Sequence, residues 1–311
     1  MLPKLYESYG LSYDQILEGV EYMGNEYEKI IEIFNHQVNL KYPLDTSTTY
    51  FDCTNFYFEI DKEDEFRKNG PSKENRNDPI IGLGLLLDAN QIPIGMKLYP
   101  GNESEKPVIR DVIKELKDRN QISGKTVQVA DKGLNCAENI INALKNKDGY
   151  LFSKSVKQLP ETEKAWVLLK DGYRKVILVT SEIKMSADDI YNTYHNLWRI
   201  EESFKVMKTY LDARPVYLQK TASIHGHFLI CYLTILLIRL LQFKVLKNKY
   251  CTEKLINFIR EFRIVKLEHN KYVNITSSSR FIKTLSYELK LPITNYFLNE
   301  SQIKMMLNYK F

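Results

Sequence analysis

The spacing of apolar residues changes its period at Thr48, and no other feature of the chain constrains the fold as strongly. Before that point, LSYDQILEGVEYMGNEYEKIIEIFNHQV places Ile16, Val20, Met23, Ile30 and Ile33 at helical intervals. After it, TTYFDCTNFYFEI alternates and is rich in Thr, Tyr and Phe, side chains that suit a half-buried pleated surface. The polar stretch DKEDEFRKNGPSKENRNDP follows, and its Gly, Pro and Asn mark a surface loop. IIGLGLLLDANQIPIGMKLYPG then reads as two further strands, turned between Asp88 and Gln91.

A helix is expected over 105–120, with Val108, Val112, Ile113 and Leu116 facing inward. KTVQVADKG, residues 125–133, reads as a short buried strand ending in Asp131, with a second helix over 136–147. Residues 150–185 are strand-like and irregular. Helices resume in SADDIYNTYHNLWRIEESFKVMKTYL, where Ser186 and Asp189 form an N-cap pattern, and an apolar helix covers 222–246. Three strands, a helix, a strand and later a long helix form the order of an α/β ribonuclease-H-like fold, a mixed sheet flanked by helices. Strands one and four are neighbours in that fold, so Asp52 and Asp131 are expected to meet at one edge of the sheet.

The 311 residues, 44% hydrophobic, suffice for one large core or two modest ones. With 27% charged residues, 12% aromatics and 21 tyrosines, the composition is that of a folded soluble protein and not a disordered one. The net charge of +5 is only mildly basic and taken alone describes a solvated surface. Its distribution is more informative: Lys205, Lys208, Arg214 and Lys220 cluster, and a basic tract runs from Arg239 to Lys254. Basic strips beside carboxylates suit a polyanion that must also meet a metal.

Cys53, Cys136, Cys231 and Cys251 are far apart and form no CxxC pair, which points to a reduced, cytoplasmic setting. His225 and His227 lack zinc spacing and read as capping or polar packing. The opening MLPKLYESYG has no basic head and apolar run, so no signal peptide is expected. The apolar stretch His227–Phe243 is shorter than the roughly 20 residues of a membrane span and contains Arg239, so it reads as a core helix.

Asp52 sits in a strand that is otherwise mostly apolar or aromatic, an unfavourable place unless something pairs it. Asp131 ends an apolar strand just before Lys132 and Gly133. Taken singly, Asp52 reads as solvent-facing and Asp131 as a turn cap. On an ideal helix, at about 100° per residue, Tyr194, Glu201 and Lys208 fall within about 40° of one another, with Lys205 one turn beyond Glu201. The plain alternative for that face is an exposed Glu201–Lys205 pair worth a few tenths of a kcal/mol. Three carboxylates without His or Cys partners suit hard cations, Mg²⁺ or Mn²⁺. Two such ions about 4 Å apart activate an attacking water or 3′-hydroxyl and stabilise the leaving oxygen in phosphoryl displacement. Lys205 and Lys208 would then hold phosphates as point charges.

YHNLWRIEESFKVMK, from Tyr194 to Lys208, resembles the Y-x2-R-x3-E-x6-K signature of a large group of bacterial insertion-sequence DDE transposases. FDCTNFYFE resembles that group's first-Asp strand, VQVADKGLN its second-Asp turn, and GNESEKP and ARPVYLQ are also similar. The resemblance spans roughly residues 45–245. It implies a catalytic core in which Asp52, Asp131 and Glu201 bind two Mg²⁺ or Mn²⁺ ions, with Tyr194 and Lys208 contacting DNA. Transposon ends would be cut and the freed 3′-hydroxyl joined to target double-stranded DNA within a homodimer or larger assembly, in the bacterial cytoplasm at the nucleoid. Leu197 stands where the signature has Arg, so one phosphate contact is missing; neighbouring Arg199 is a candidate substitute that points to a different part of the helix.

The implied division is a helical segment 1–46, core parts 47–149 and 186–246, a shortened β-rich insertion 150–185, and a helical C-terminal region 247–311. The insertion is usually larger in relatives, and Gly172-Tyr173-Arg174 reads as a deletion junction. The chain is also short at its N-terminus, where relatives often hold an end-recognition domain. These departures support an alternative, a truncated non-catalytic remnant that binds DNA or inhibits by dimerising. A repair or junction-resolving nuclease of the same fold, and an α/β domain with purely structural acids, fit the residues less well.

Overall fold

The computed structural model describes residues 10–119, 121–156, 159–164, 177–267 and 271–309. The described residues open with two helices, α1 (Tyr13–Asn25) and α2 (Tyr27–Lys41). Ser12 starts α1 through a reciprocal cap with Gln15, each side chain bonding the other's backbone N–H.

Three antiparallel strands follow: β1 (Thr48–Tyr57), β2 (Ile80–Leu87) and β3 (Pro93–Pro100). The β2–β3 turn is tied by the Asp88 carboxylate, which accepts the Ile92 N–H at 2.8 Å and the Asp45 N–H at 3.1 Å. After α3 (Val108–Asp118) the chain enters β4 (Val127–Ala130), parallel to β1. Then come α4 (Ala137–Lys145), β5 (Gly149–Lys154) parallel to β4, and β6 (Ile177–Thr180) antiparallel to β5. The order β3-β2-β1-β4-β5-β6 is the ribonuclease-H-like mixed sheet expected from the sequence.

Helices cover both faces. Val108, Ile109, Val112, Ile113 and Leu116 of α3 are buried against Phe51, Cys53, Leu86, Ala130 and Phe152. Alternate residues of β1 point to the other face. There Phe56 meets Phe228 of α7 (Thr221–Arg239) at 4.6 Å between ring centroids. Between β6 and α7 lie α5 (Ala187–His195) and α6 (Trp198–Lys205), the latter packed on β1. The helical stretch Thr221–Val245 is long and apolar enough to cross a membrane, yet Phe228, Leu229, Tyr232 and Leu236 have no exposed surface. That is the packing of a core helix, as expected.

β5 and β6 correct the reading of 150–185 as an insertion, because both strands belong to the sheet. The expected junction at Gly172-Tyr173-Arg174 lies outside the described residues. The C-terminal unit also differs from expectation, since it starts at Leu240 and is not wholly helical. It holds α8 (Thr252–Glu261), α9 (Arg280–Leu289) and α10 (Glu300–Leu307). A three-stranded sheet accompanies them: β7 (Ile264–Lys266), β8 (Tyr272–Asn274) and β9 (Phe297–Leu298). Strands of two or three residues are too short for an alternating pattern to register. Leu246, Leu255, Ile282, Leu285 and Ile293 form this unit's own core.

Helices α1 and α7 cross closely, and two glycines make this possible. A Cβ on Gly24 would stand 1.7 Å from the Ala222 carbonyl oxygen, and one on Gly226 would stand 1.9 Å from that of Val20. Gly19, on the same α1, has no neighbour within 4 Å of its Cβ position. Gly226→Ala should therefore destabilise the fold by roughly 1–3 kcal/mol through overpacking, despite alanine's better helix propensity. Gly19→Ala should stabilise it by up to about 1 kcal/mol. Denaturant unfolding of both variants checks the pair, and equal signs would refute the close crossing.

Candidate active site

The β1–β4 ladder ends with Phe51 opposite Ala130, so Asp52 and Asp131 are the next residues on two parallel neighbours. Asp52 stands in the middle of β1 and Asp131 just past the end of β4, both interior strands and not the lateral edge of the sheet. Asp52 is partly buried, and its Oδ1 accepts the Cys53 N–H at 2.8 Å. Burial pushes its pKa up to about 6; the Lys73 ammonium and the Cys53 N–H oppose this, while Glu105 and Asp131 add to it. Asp131 is held differently. Burial acts to raise it, but the Ser153 hydroxyl at 2.6 Å, the Lys132 N–H and the Tyr194 hydroxyl at 2.9 Å hold it below the usual carboxylate range. One acid of the pair is thus poised near neutrality, and the other is firmly ionised.

The helical stretch that carries Tyr194, Glu201 and Lys208 is not uniform, for it tightens once and widens once. Leu197, Arg199 and Ile200 donate to the carbonyls of Tyr194, Asn196 and Leu197 at 3.0, 3.1 and 3.0 Å, the tighter i→i+3 pattern. Val206–Tyr210 then forms a wider π turn. Each step changes the angle per residue, the first in one sense and the second in the other. Tyr194 ends up on α5, bonded to Asp131. Its pKa rises to about 12, chiefly through burial and then through the charges of Asp131 and Glu201. Glu201 is exposed in the first turn of α6.

Lys208 lies in the π turn, 2.9 Å from Glu74 and over the Phe56 ring. Burial holds its pKa below that of an ordinary lysine, with Glu74 acting in the opposite sense. Arg214 pairs with the same Glu74 oxygen. Lys205 is exposed. Arg199 is engaged within the chain, bonding Glu202 at 3.0 Å and stacking on Trp198 at 3.9 Å. Glu202 also pairs at 3.0 Å with Arg239, which is 1% exposed. Leu197 is buried. His225 packs between the rings of Tyr27 and Phe66 and bonds the Thr221 carbonyl, the packing role expected for it. All four cysteines are free, with Cys53 and Cys231 buried and Cys251 exposed.

Among the described residues, no group of three His, Cys, Asp or Glu side chains converges as a metal-holding set. The chemistry beside Asp52 nevertheless fits a hard cation, because a cation already stands there. The Lys73 ammonium donates to the Cys53 carbonyl at 2.5 Å and pairs with Glu105 at 3.2 Å, and its charge acts on Asp52. Glu105 also approaches the backbone beyond Asp131, since a Cβ on Gly133 would lie 2.6 Å from its Oε1. The donors are all oxygens, as Mg²⁺ or Mn²⁺ prefer. Lys73, Glu74 and Glu105 were not singled out from the sequence. The first two lie in a polar loop that reads as solvated surface, and Glu105 had only the GNESEKP segment to mark it.

A family model described as "Transposase DDE domain" matches residues 46–237. No curated protein matches the chain. Among solved structures, the piggyBac transposase synaptic complex with hairpin DNA is similar at a TM-score of 0.46 and 14% identity. That likeness covers 75% of this chain and 55% of the other. The pre-cleavage Mos1 transpososome follows at a TM-score of 0.24 and 12% identity, over 72% and 63% of the two chains. The catalytic domain of the Mos1 mariner transposase matches at 0.23 and 10%, over 74% and 95%. The chain thus spans less than two thirds of the first two matched chains.

The raised Asp52 pKa has a consequence for stability. A carboxyl that keeps its proton more readily when folded contributes stability that is complete below its unfolded pKa of about 4 and is lost as pH rises through about 6. Denaturant unfolding in a chelator should therefore show a decline between pH 4 and pH 6.5 that Asp52→Asn removes. At pH 7 the variant should be the more stable by about 1–2 kcal/mol, a value discounted for the partial exposure of the site. Equal pH slopes for both proteins would show that Asp52 is not held in this way.

Proposed function

The chain belongs to the transposase DDE domain family, and on that premise we propose that it cuts DNA at transposon ends and joins the freed 3′-hydroxyl to target DNA. The observation that carries this reading is the placement of Asp52 and Asp131 as successive neighbours on β1 and β4, inside the matched region. Glu201 is the proposed third ligand, with two Mg²⁺ or Mn²⁺ ions as cofactors. Such ions supply electrostatic activation of the attacking oxygen and stabilisation of the leaving one.

The chain's own residues do the rest. Ser153 and Tyr194 keep Asp131 ionised and oriented by donating hydrogen bonds to its Oδ1. Lys208 offers a cation for a DNA phosphate beside the acids, and exposed Lys205 extends the basic surface. Arg199 enters the DNA interface in this reading only by releasing Glu202. A homodimer on double-stranded DNA, in a reducing bacterial cytoplasm suited to free thiols, completes the proposal.

A second reading is favoured by exposed Glu201 and by buried Leu197 at the expected Arg position: a remnant that binds DNA without cutting it. Nicking of supercoiled plasmid in Mn²⁺ separates the two. The active reading expects nicking that Asp52→Asn and Asp131→Asn each reduce at least about a thousandfold. Nicking that survives both substitutions would overturn it. Salt-sensitive DNA binding without nicking in the unmodified chain would establish the remnant.

A further inference from the structure

Two consecutive residues of the β1–β2 loop carry opposite charges into the two oppositely charged halves of the site. Lys73 reaches the acidic half, donating to the Cys53 carbonyl at 2.5 Å and pairing with Glu105 at 3.2 Å beside Asp52. Glu74 reaches the basic half, taking Lys208 at 2.9 Å and Arg214 on the same oxygen. An ammonium among carboxylates is the stand-in a protein can build for a metal cation. A carboxylate held by Lys and Arg is likewise its stand-in for a phosphate.

We propose that Asp52 and Glu105 form a divalent-cation site and that Lys208 and Arg214 form a phosphate site. Each is filled by the loop's own Lys73 or Glu74 until a metal ion and a DNA phosphate displace the pair. The proposal rests on the functional reading above and adds Glu105 and Arg214 to the residues that bind.

The surroundings suit displacement. The side chains of Lys73 and Glu105 are 44% and 30% exposed, and those of Glu74 and Arg214 are 23% and 29% exposed, so water and solutes reach all four. Arg239 against Glu202 is the contrast on the cation's side, with Arg239 1% exposed and Glu202 21% exposed. Side-chain bonds tie down the loop around Lys73. Asn55 Nδ2 donates to the Pro71 carbonyl at 3.1 Å, the Lys73 N–H donates to Asn55 Oδ1 at 3.3 Å, and the Glu74 N–H donates to Ser72 Oγ at 3.2 Å. Asn75 follows in the left-handed conformation, φ 55°, which asparagine tolerates. Because Lys73 and Glu74 are adjacent, lifting one loosens the other. Cation and DNA binding are then coupled in the same sense from both sides.

The test is Mn²⁺ calorimetry and duplex-DNA binding with the full chain. Lys73→Gln should tighten Mn²⁺ at least fivefold and Glu105→Gln weaken it at least fivefold, while Lys73→Arg, which keeps the internal cation, should match the unmodified chain. Glu74→Gln should tighten a short duplex at least threefold, and duplex DNA should tighten Mn²⁺ only where Glu74 is intact. Thermal unfolding of each variant confirms that it is folded. Unchanged affinities in Lys73→Gln and Glu74→Gln, with Asp52→Asn abolishing Mn²⁺ binding, would overturn this proposal alone. Mn²⁺ binding that survives Asp52→Asn would overturn the functional reading beneath it.

Discussion

Four residue pairs, Thr48–Phe51 against Val127–Ala130, hold β1 parallel to β4, and the placement of Asp52 beside Asp131 follows from that register. Parallel strands cannot be joined by a tight turn, so the chain must leave β1 and cross over before it returns as β4. It does so through β2, β3 and α3, which extend the sheet on one side and cover one face. A slip of one residue would turn each side chain of β4 to the opposite face and separate Asp131 from Asp52. The apolar face of α3 resists such a slip, because Phe51, Ala130 and Phe152 must all point into it. Core packing therefore fixes the acidic pair, and the pair in turn requires something cationic nearby.

The structure answers that requirement with two kinds of ion pair. Arg239 is buried against the half-buried Glu202, and removing Glu202 would leave the Arg239 charge inside without its partner. Lys73 with Glu105 and Glu74 with Arg214 are partly exposed, where pairs are worth about 0–1 kcal/mol. The first kind anchors α6: Arg239 also bonds Ser203 Oγ at 3.1 Å and the Arg199 carbonyl at 3.3 Å. The second kind can be exchanged for an external ion at little cost. The two kinds differ chiefly in the burial of the cation, with Arg239 at 1% exposure against Arg214 at 29% and Lys73 at 44%.

Much of this was legible in the amino-acid order. The period change at Thr48 located β1, and the apolar runs at 80–100 located β2 and β3. Val108, Val112, Ile113 and Leu116 are buried on α3 as their spacing required. The spacing of Tyr194, Glu201 and Lys208 placed them on one helical stretch but did not show that its turns vary in width. A tightened step and a π turn depend on tertiary bonds that spacing does not encode. Lys73, Glu74 and Glu105 were illegible for another reason. A charge in a polar loop has the same local pattern whether it meets water or an opposite charge brought by a distant strand.

The partners of Tyr194 and Lys208 decide how the site is held together. Glu201 and Lys208 stay on one unbroken helical stretch, 198–210, without bonding each other. Instead, Tyr194 on α5 ties to Asp131, while Lys208 in the π turn ties to Glu74 of the β1–β2 loop. Ile200, Ser203 and Phe204 are buried, so α6 itself is fixed and its exposed Glu201 faces away from the core. The connection between acidic and basic halves therefore runs through the peptide bond between Lys73 and Glu74. A short loop segment can be lifted where a packed helix cannot, and this makes the loop, not the helix, the element whose position decides whether both halves are open.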